Sequence, residues 1–183
     1  QHILDTCPII SCGNVLSLTE VGTAKKVDRY KTLINRHMES LYHFAQLVNN
    51  SEVPKSQADL TAKINRPVED TLISMPLSIP EKKVKDYLDR TPHDVTVADA
   101  IRYFTKVPYG WSDYATIFYI NELVRRHLYA FNYNNNPNVS REDTARNIVR
   151  EAGKFTIEKA KAISQDVLNE FIDAWKHIFN VMS

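Results

Sequence analysis

Glycine is scarce in this chain, with four in 183 residues. So few weigh against an all-β fold with many tight turns and against glycine-rich cofactor loops, and helix is expected to dominate. Cysteine is nearly absent: Cys7 and Cys12 have only His2 as a nearby histidine, too few donors for a tetrahedral zinc site. The two are expected to be reduced, incidental thiols, and no metal site is expected. No apolar run approaches the roughly 18 residues of a membrane span, and no charged segment leads into an apolar one near the start. The chain is therefore expected to be cytoplasmic and to touch no membrane. An excess of one charge is missing too: 23 Lys and Arg face 22 Asp and Glu, and each half is balanced. A nucleic-acid role would have to rest on a local patch. Catalytic signatures are also lacking, with no GxSxG, no HExxH and no GxxxxGK[ST]. The nearest run, Gly22-Thr23-Ala24-Lys25-Lys26, lacks the first glycine and the spacing that lets backbone amides cradle phosphates. No cofactor is expected, and the chain is not read as an enzyme.

What remains is a chain with 43% hydrophobic residues, enough to bury a real core. It opens on Gln1 without an initiator Met and is expected to be a piece of something longer. Residues 1–18 show no regular period and read as an extended lead-in. Val21, Ala24, Val27, Tyr30, Leu33, Ile34, Met38, Leu41, Phe44, Ala45 and Val48 then hold one face of a long helix, about 20–49, that would run roughly 45 Å. His37 and His43 on it lie six apart, which is not the i,i+4 spacing of a metal pair. Short helices follow at about 56–64 and 81–89, separated by Pro67, Pro76 and Pro80. The chain divides into a helical segment at 1–90 and a second unit at 91–183.

That second unit begins with Val97, Ala98, Ile101, Phe104 and Val107, the apolar face of a helix. Pro108 ends it, because the residue before a proline is pushed out of the helical region, and Gly110 gives the backbone freedom for a sharp turn. Pro108, Tyr109, Gly110 and Trp111 are read as a structural turn braced by its two rings. Ser112 is placed to cap a second helix, about 113–127, with Asp113 in its first turn. That helix is apolar round most of its circumference and should be buried, with Asp113, Asn121 and Glu122 exposed. Arg125, Arg126 and His127 fall in its last turn, where cations suit the helix dipole. Residues 128–133 read as an aromatic strand and 134–138 as a turn. Helix, turn, buried helix and strand is the order of a winged helix. Ser140 should start a further helix to about Glu151, closed by Gly153. From Phe155 onward the period fits both an alternating strand and a helical face, and leaves both open. The fold class is mainly α: a helical N-terminal part with a long helix, then a winged-helix-like α+β unit with a small β-hairpin.

Arg125, Arg126, Lys154, Lys159 and Lys161 are the candidate nucleic-acid contacts, since cations near a wing can meet duplex DNA phosphates without reading sequence. Arg141, Arg146 and Arg150 lie on the helix between them. Against this, Glu142, Asp143, Glu151 and Glu158 interleave with the cations, and an apolar helix reads bases poorly. Lysines on an exposed strand edge also serve simply to block unwanted strand pairing.

The run PYGW between two helices, then LVRRHLYAFNY, then KFTIEKAKAISQDVLNEFIDAWKHIFN, resembles the C-terminal region of BrxC-like proteins, large P-loop ATPases of bacterial BREX phage-defence systems. The resemblance covers about Val95 to Phe179. It implies a strand at 155–162 paired with 128–134, then a helix capped by Ser164 and running to about Asn180. It also implies that the ATPase motif lies elsewhere in the polypeptide. This part would be a non-catalytic architectural or partner-binding domain, working with other domains or subunits of a larger assembly. The alternative is a winged-helix module binding duplex DNA without sequence preference.

Overall fold

The computed structural model describes residues 9–11, 13–16, 26–67, 75–92, 94–137, 139–160 and 173–175. Cys7, Cys12, His2, Lys161 and the body of the helix expected at 164–180 lie outside them, although 173–175 are helical. Helices dominate the described residues, beside a small antiparallel sheet of three strands. No described helix is long and apolar enough to cross a membrane.

The helix starts are written in hydroxyl side chains. Ser56, Ser78, Thr96, Ser112 and Ser140 each accept a hydrogen bond from the backbone N–H three residues on. They open α2 (Gln57–Asn65), α3 (Ile79–Arg90), α4 (Val97–Phe104), α5 (Asp113–Arg125) and α6 (Arg141–Asn147). At Ser78 and Thr96 the acid of the first turn, Glu81 or Asp99, reaches back to the cap's own N–H, a full capping box.

Upstream of these, two expectations are corrected. β1 (Ile9–Ser11) and β2 (Asn14–Leu16) pair antiparallel about Gly13, whose φ is 79°, where an extended lead-in was expected. The long helix is also shorter: α1 (Lys26–Leu41) has 16 residues, about 24 Å, and gives way before Asn49 to a turn and a 3-10 segment, Ala45–Val48. The cause lies far along the chain. The Phe44 N–H donates to the Pro108 carbonyl (3.1 Å), and the Phe44 carbonyl accepts the Trp111 indole N–H (3.0 Å). A continuous helix would have spent both backbone groups within itself.

The sheet has the order β3 (Val95–Thr96), β5 (Phe155–Lys159), β4 (Tyr129–Tyr133), and both pairings are antiparallel. Residues 155–159 are thus a strand, opposite 129–133. Ile157 faces Phe131 on one side and Val95 on the other. The short β3 has no counterpart in the periodicity. Asn134 and Asn135 turn the chain after β4 with φ of 51° and 63°, a left-handed pair that Asn tolerates better than most side chains. α5 is the hub. It packs on α2, α3, α4 and β4, which is why Thr116, Ile117, Phe118 and Tyr119, four in succession and so spread round its circumference, are all buried. Leu60, Ile64, Val84 and Leu88 belong to the same apolar cluster as Phe104, Phe131 and Phe155, so one core crosses position 90.

Candidate functional site

α5 is entered through the aromatic turn. Trp111 is 1% exposed, stacks on Phe104 with centroids 4.7 Å apart, and spends its indole N–H on Phe44. Tyr109 packs edge-on against both rings, and burial pushes its phenol up to about 12, with the Tyr103 hydroxyl adding to the shift. Gly110 has φ of 64°, and a Cβ there would come within 2.6 Å of Tyr42 Cδ1. The tetrapeptide joins α4 to α5 with both of its rings buried, and Val107, just before it and expected on the inward face of the first helix, is exposed.

At the other end of α5 the expected surface residues are inside. Arg125 and Arg126 are 5% and 8% exposed, and Asn121 and Glu122 are 4% and 7%. Arg125 Nη1 donates to Glu122 Oε1 (2.8 Å) and Nη2 to the Pro67 carbonyl (2.7 Å). Arg126 Nε donates to Glu81 Oε1 (2.6 Å) and Nη1 to the Met75 carbonyl (2.7 Å). Glu81 therefore serves twice, closing the cap of α3 and neutralising Arg126. The physical reason is the enclosure of α5: polar residues on a helix with no free face are buried with it, and buried charges must pair. The Glu122–Arg125 spacing of i,i+3 was the available signal.

Lys154 and Lys159 remain on the surface, 57% and 76% exposed, paired with Glu151 and Asp89 respectively. They flank the two ends of β5, roughly 17 Å apart along the strand. Lys161 lies outside the described residues. The four described candidate cations are thus not one face. Lys85, Tyr129 and Lys159 hold the Asp89 carboxyl down at about 2, with the Lys85 hydrogen bond the largest cause, and the pairing ties α3 to the sheet. Glu151 is likewise held at about 2, first by the Tyr133 hydroxyl and then by Lys154.

Between α2, the last turns of α5, β4 and the start of α6 lies a cavity of about 290 Å³. Ile64, Val124, Tyr129, Phe131, Pro137 and Val139 give it apolar walls; Asn121, Arg125, His127 and Arg141 bring polar and basic groups, and among the described residues no carboxylate lines it. Asn121 Nδ2 and Arg125 Nε are buried without a hydrogen-bond partner. Arg141 is exposed and forms no ion pair with a described residue. His127 stops α5 with φ of 57°, its N–H on the Val124 carbonyl (2.9 Å) and that of Leu128 on the Leu123 carbonyl (3.1 Å). That closure usually employs glycine.

Comparison with known proteins gives no match: no family model, no curated protein and no solved structure is significantly similar to the chain.

Proposed function

We propose that this chain is a non-catalytic architectural module that binds a protein partner, built on a winged-helix-like unit and belonging to a larger phage-defence ATPase of the BrxC-like kind. Support for the layout comes from the order α3, β3, α4, α5, β4, β5 and from a sheet in which β5 lies between β3 and β4. The assembly is supplied by the resemblance of the PYGW turn and the segments after it.

One observation carries the choice of a protein over DNA. α5 stands where such a module carries its reading helix, and a reading helix needs a free face to enter a groove. Here that helix is enclosed by α2, α3, α4 and β4, and its two arginines are turned to Glu122, Glu81 and backbone carbonyls. On the opposite side of the balance, apolar side chains stand in the open: Ile34 is 54% exposed, Met38 46% and Val107 53%.

Titration of a fluorescent DNA duplex, together with calorimetry against ATP, tests the reading. Neither ligand should bind saturably to the chain, while the chain should co-sediment with the other subunits of its assembly and Met38→Asp should weaken that association. DNA affinity falling steeply with salt, by about 0.9 in log K per phosphate neutralised, and lost on reversing Arg146 and Arg150 to Glu, would return the function to backbone binding of DNA. Micromolar ATP binding would overturn the non-catalytic reading.

A further inference from the structure

β4 lies at the margin of the sheet, and its register shows which of its backbone groups are spent. The Ala160 N–H donates to the Leu128 carbonyl (3.0 Å) and the Asn134 N–H to the Lys154 carbonyl (3.3 Å), so Leu128, Ala130, Asn132 and Asn134 hold the bonded positions opposite β5. The N–H and C=O groups of Tyr129, Phe131 and Tyr133 therefore point the other way. Asn136 takes those of Tyr133 in both directions (3.0 and 2.9 Å). Those of Tyr129 and Phe131 bond no described residue. Backbone groups that water reaches poorly nearly always find a partner, and these two residues are each 5% exposed.

The open side of both residues is the cavity of about 290 Å³. Tyr129, Ala130 and Phe131 all line it, although their side chains alternate between the faces of the sheet, and none of Phe155–Lys159 does. It therefore runs along the outer edge of β4. The chain does not fill that edge itself: past Asn136 it leaves through Pro137, which has no N–H to give, towards the cap of α6 at Ser140. From these observations we infer that the edge at 129–131 takes an extended, acidic segment of a partner protein as a fourth strand. The inference rests on the partner-binding reading only for where that segment comes from.

The backbone sets the class of ligand. Donors and acceptors repeating at strand spacing are matched by another extended backbone, whatever its side chains. β4 carries neither the lysine nor the proline that keeps an open edge from pairing, and Lys159 stands on the central strand, where it guards no edge. The slot has room for a short stretch of chain and nothing bulkier. Its charge sets the preference among strands: Glu122 balances Arg125, Arg141 makes no ion pair with a described residue, and no described carboxylate lines the slot. An acidic side chain suits that surface and a basic one does not.

The test is calorimetry and amide NMR of the whole chain with the acetylated, amidated pentapeptide TVEVT, built from strand-forming residues, and its basic counterpart TVKVT. Because pairing runs through the backbone, TVEVT should bind saturably with Kd at or below about 1 mM. It should slow exchange of the Tyr129 and Phe131 amides at least about tenfold and leave Ala130 and Asn132, already bonded to β5, unchanged. A strand pairs through one edge at a time, so N-methylation of both valines and N-methylation of the glutamate and final threonine should differ, one abolishing binding and the other changing it less than about threefold. TVKVT should bind about tenfold more weakly, and Arg141→Ala, at an exposed position, should remove that difference. Strand addition is overturned by no saturable binding of TVEVT up to about 10 mM, by binding that leaves the Tyr129 and Phe131 amides unchanged, or by equal effects of the two methylations. Equal binding of TVEVT and TVKVT overturns the acidic assignment. None of these results depends on the Met38→Asp co-sedimentation, so this inference and the partner-binding reading fail separately.

Discussion

The two ends of α5 are each anchored by buried side chains, and by opposite means. At its start, Trp111, Phe104 and Tyr109 interlock as rings, and the indole N–H, the one polar atom of Trp111, is satisfied by Phe44. At its finish, Arg125 and Arg126 are drawn inside with Glu122 and Glu81, and two donors are left over. Ring packing favours stacked and edge-on contacts but tolerates small errors of placement. A buried ion pair repays its desolvation only when every hydrogen bond is made, so it fixes geometry more than it adds stability. The first end acts as a fastening; the second leaves unmet polar capacity, and the cavity lies there.

The largest expected effect tests the fastening. Trp111→Ala should lose about 3 to 5 kcal/mol in a denaturant melt, since it removes a fully buried ring and leaves the Phe44 carbonyl without its donor; a loss under about 1 kcal/mol would mean the ring is not the brace. Next comes the other end. Glu81→Ala uncaps α3 and leaves Arg126 buried without its carboxylate, an expected loss of about 3 kcal/mol. If the contrast between the ends is right, replacing Glu81 and Arg126 together by Met should recover much of that loss, whereas no second change should rescue Trp111→Ala so well. Non-recovery in the double variant would erase the contrast.

Gly110→Ala should cost about 2 kcal/mol, from a left-handed φ combined with the close approach to Tyr42. An unchanged melt would show that the turn relaxes freely. The smallest effect is set by pH. Asp89 titrates at about 2 in the folded chain, below its ordinary value, so its contribution is full above about pH 4 and is lost as the pH falls from there through 2. Glu151 acts in the same window, so Asp89→Asn should flatten only part of the acid limb in melts between pH 6 and pH 2. An unaltered acid limb would show that Asp89 has no such role.

Local chemistry was legible wherever it is local. Ser112 as a cap, the Pro108–Trp111 turn, the short helices and the enclosure of α5 all follow from spacing within a few residues. The fate of Arg126 was not legible, because its partners, Glu81 and the Met75 carbonyl, are distant in sequence and no periodicity encodes them. The same holds for Phe44, which continues a helical stripe yet is claimed by Pro108 and Trp111. Asn121 and Glu122 were assigned outward because they are polar, although a helix surrounded on all sides has no outward direction. The cavity depends on several such distant placements at once, so only its basic residues could be suspected beforehand.

The central strand of the sheet is also the last to be synthesised. Among the described residues β3 and β4 make no ladder with each other; each is laddered to β5, and Val95 waits for Ile157. On the ribosome, therefore, α3, α4 and α5 can collapse on one another while both outer strands are still unpaired, and the sheet closes only after Lys159 has emerged. Late closure of a non-local pairing is slow compared with helix formation and leaves strand edges open meanwhile. A nascent chain stalled before Phe155 would be a helical cluster with two sticky ribbons, the form of this protein most in need of a chaperone.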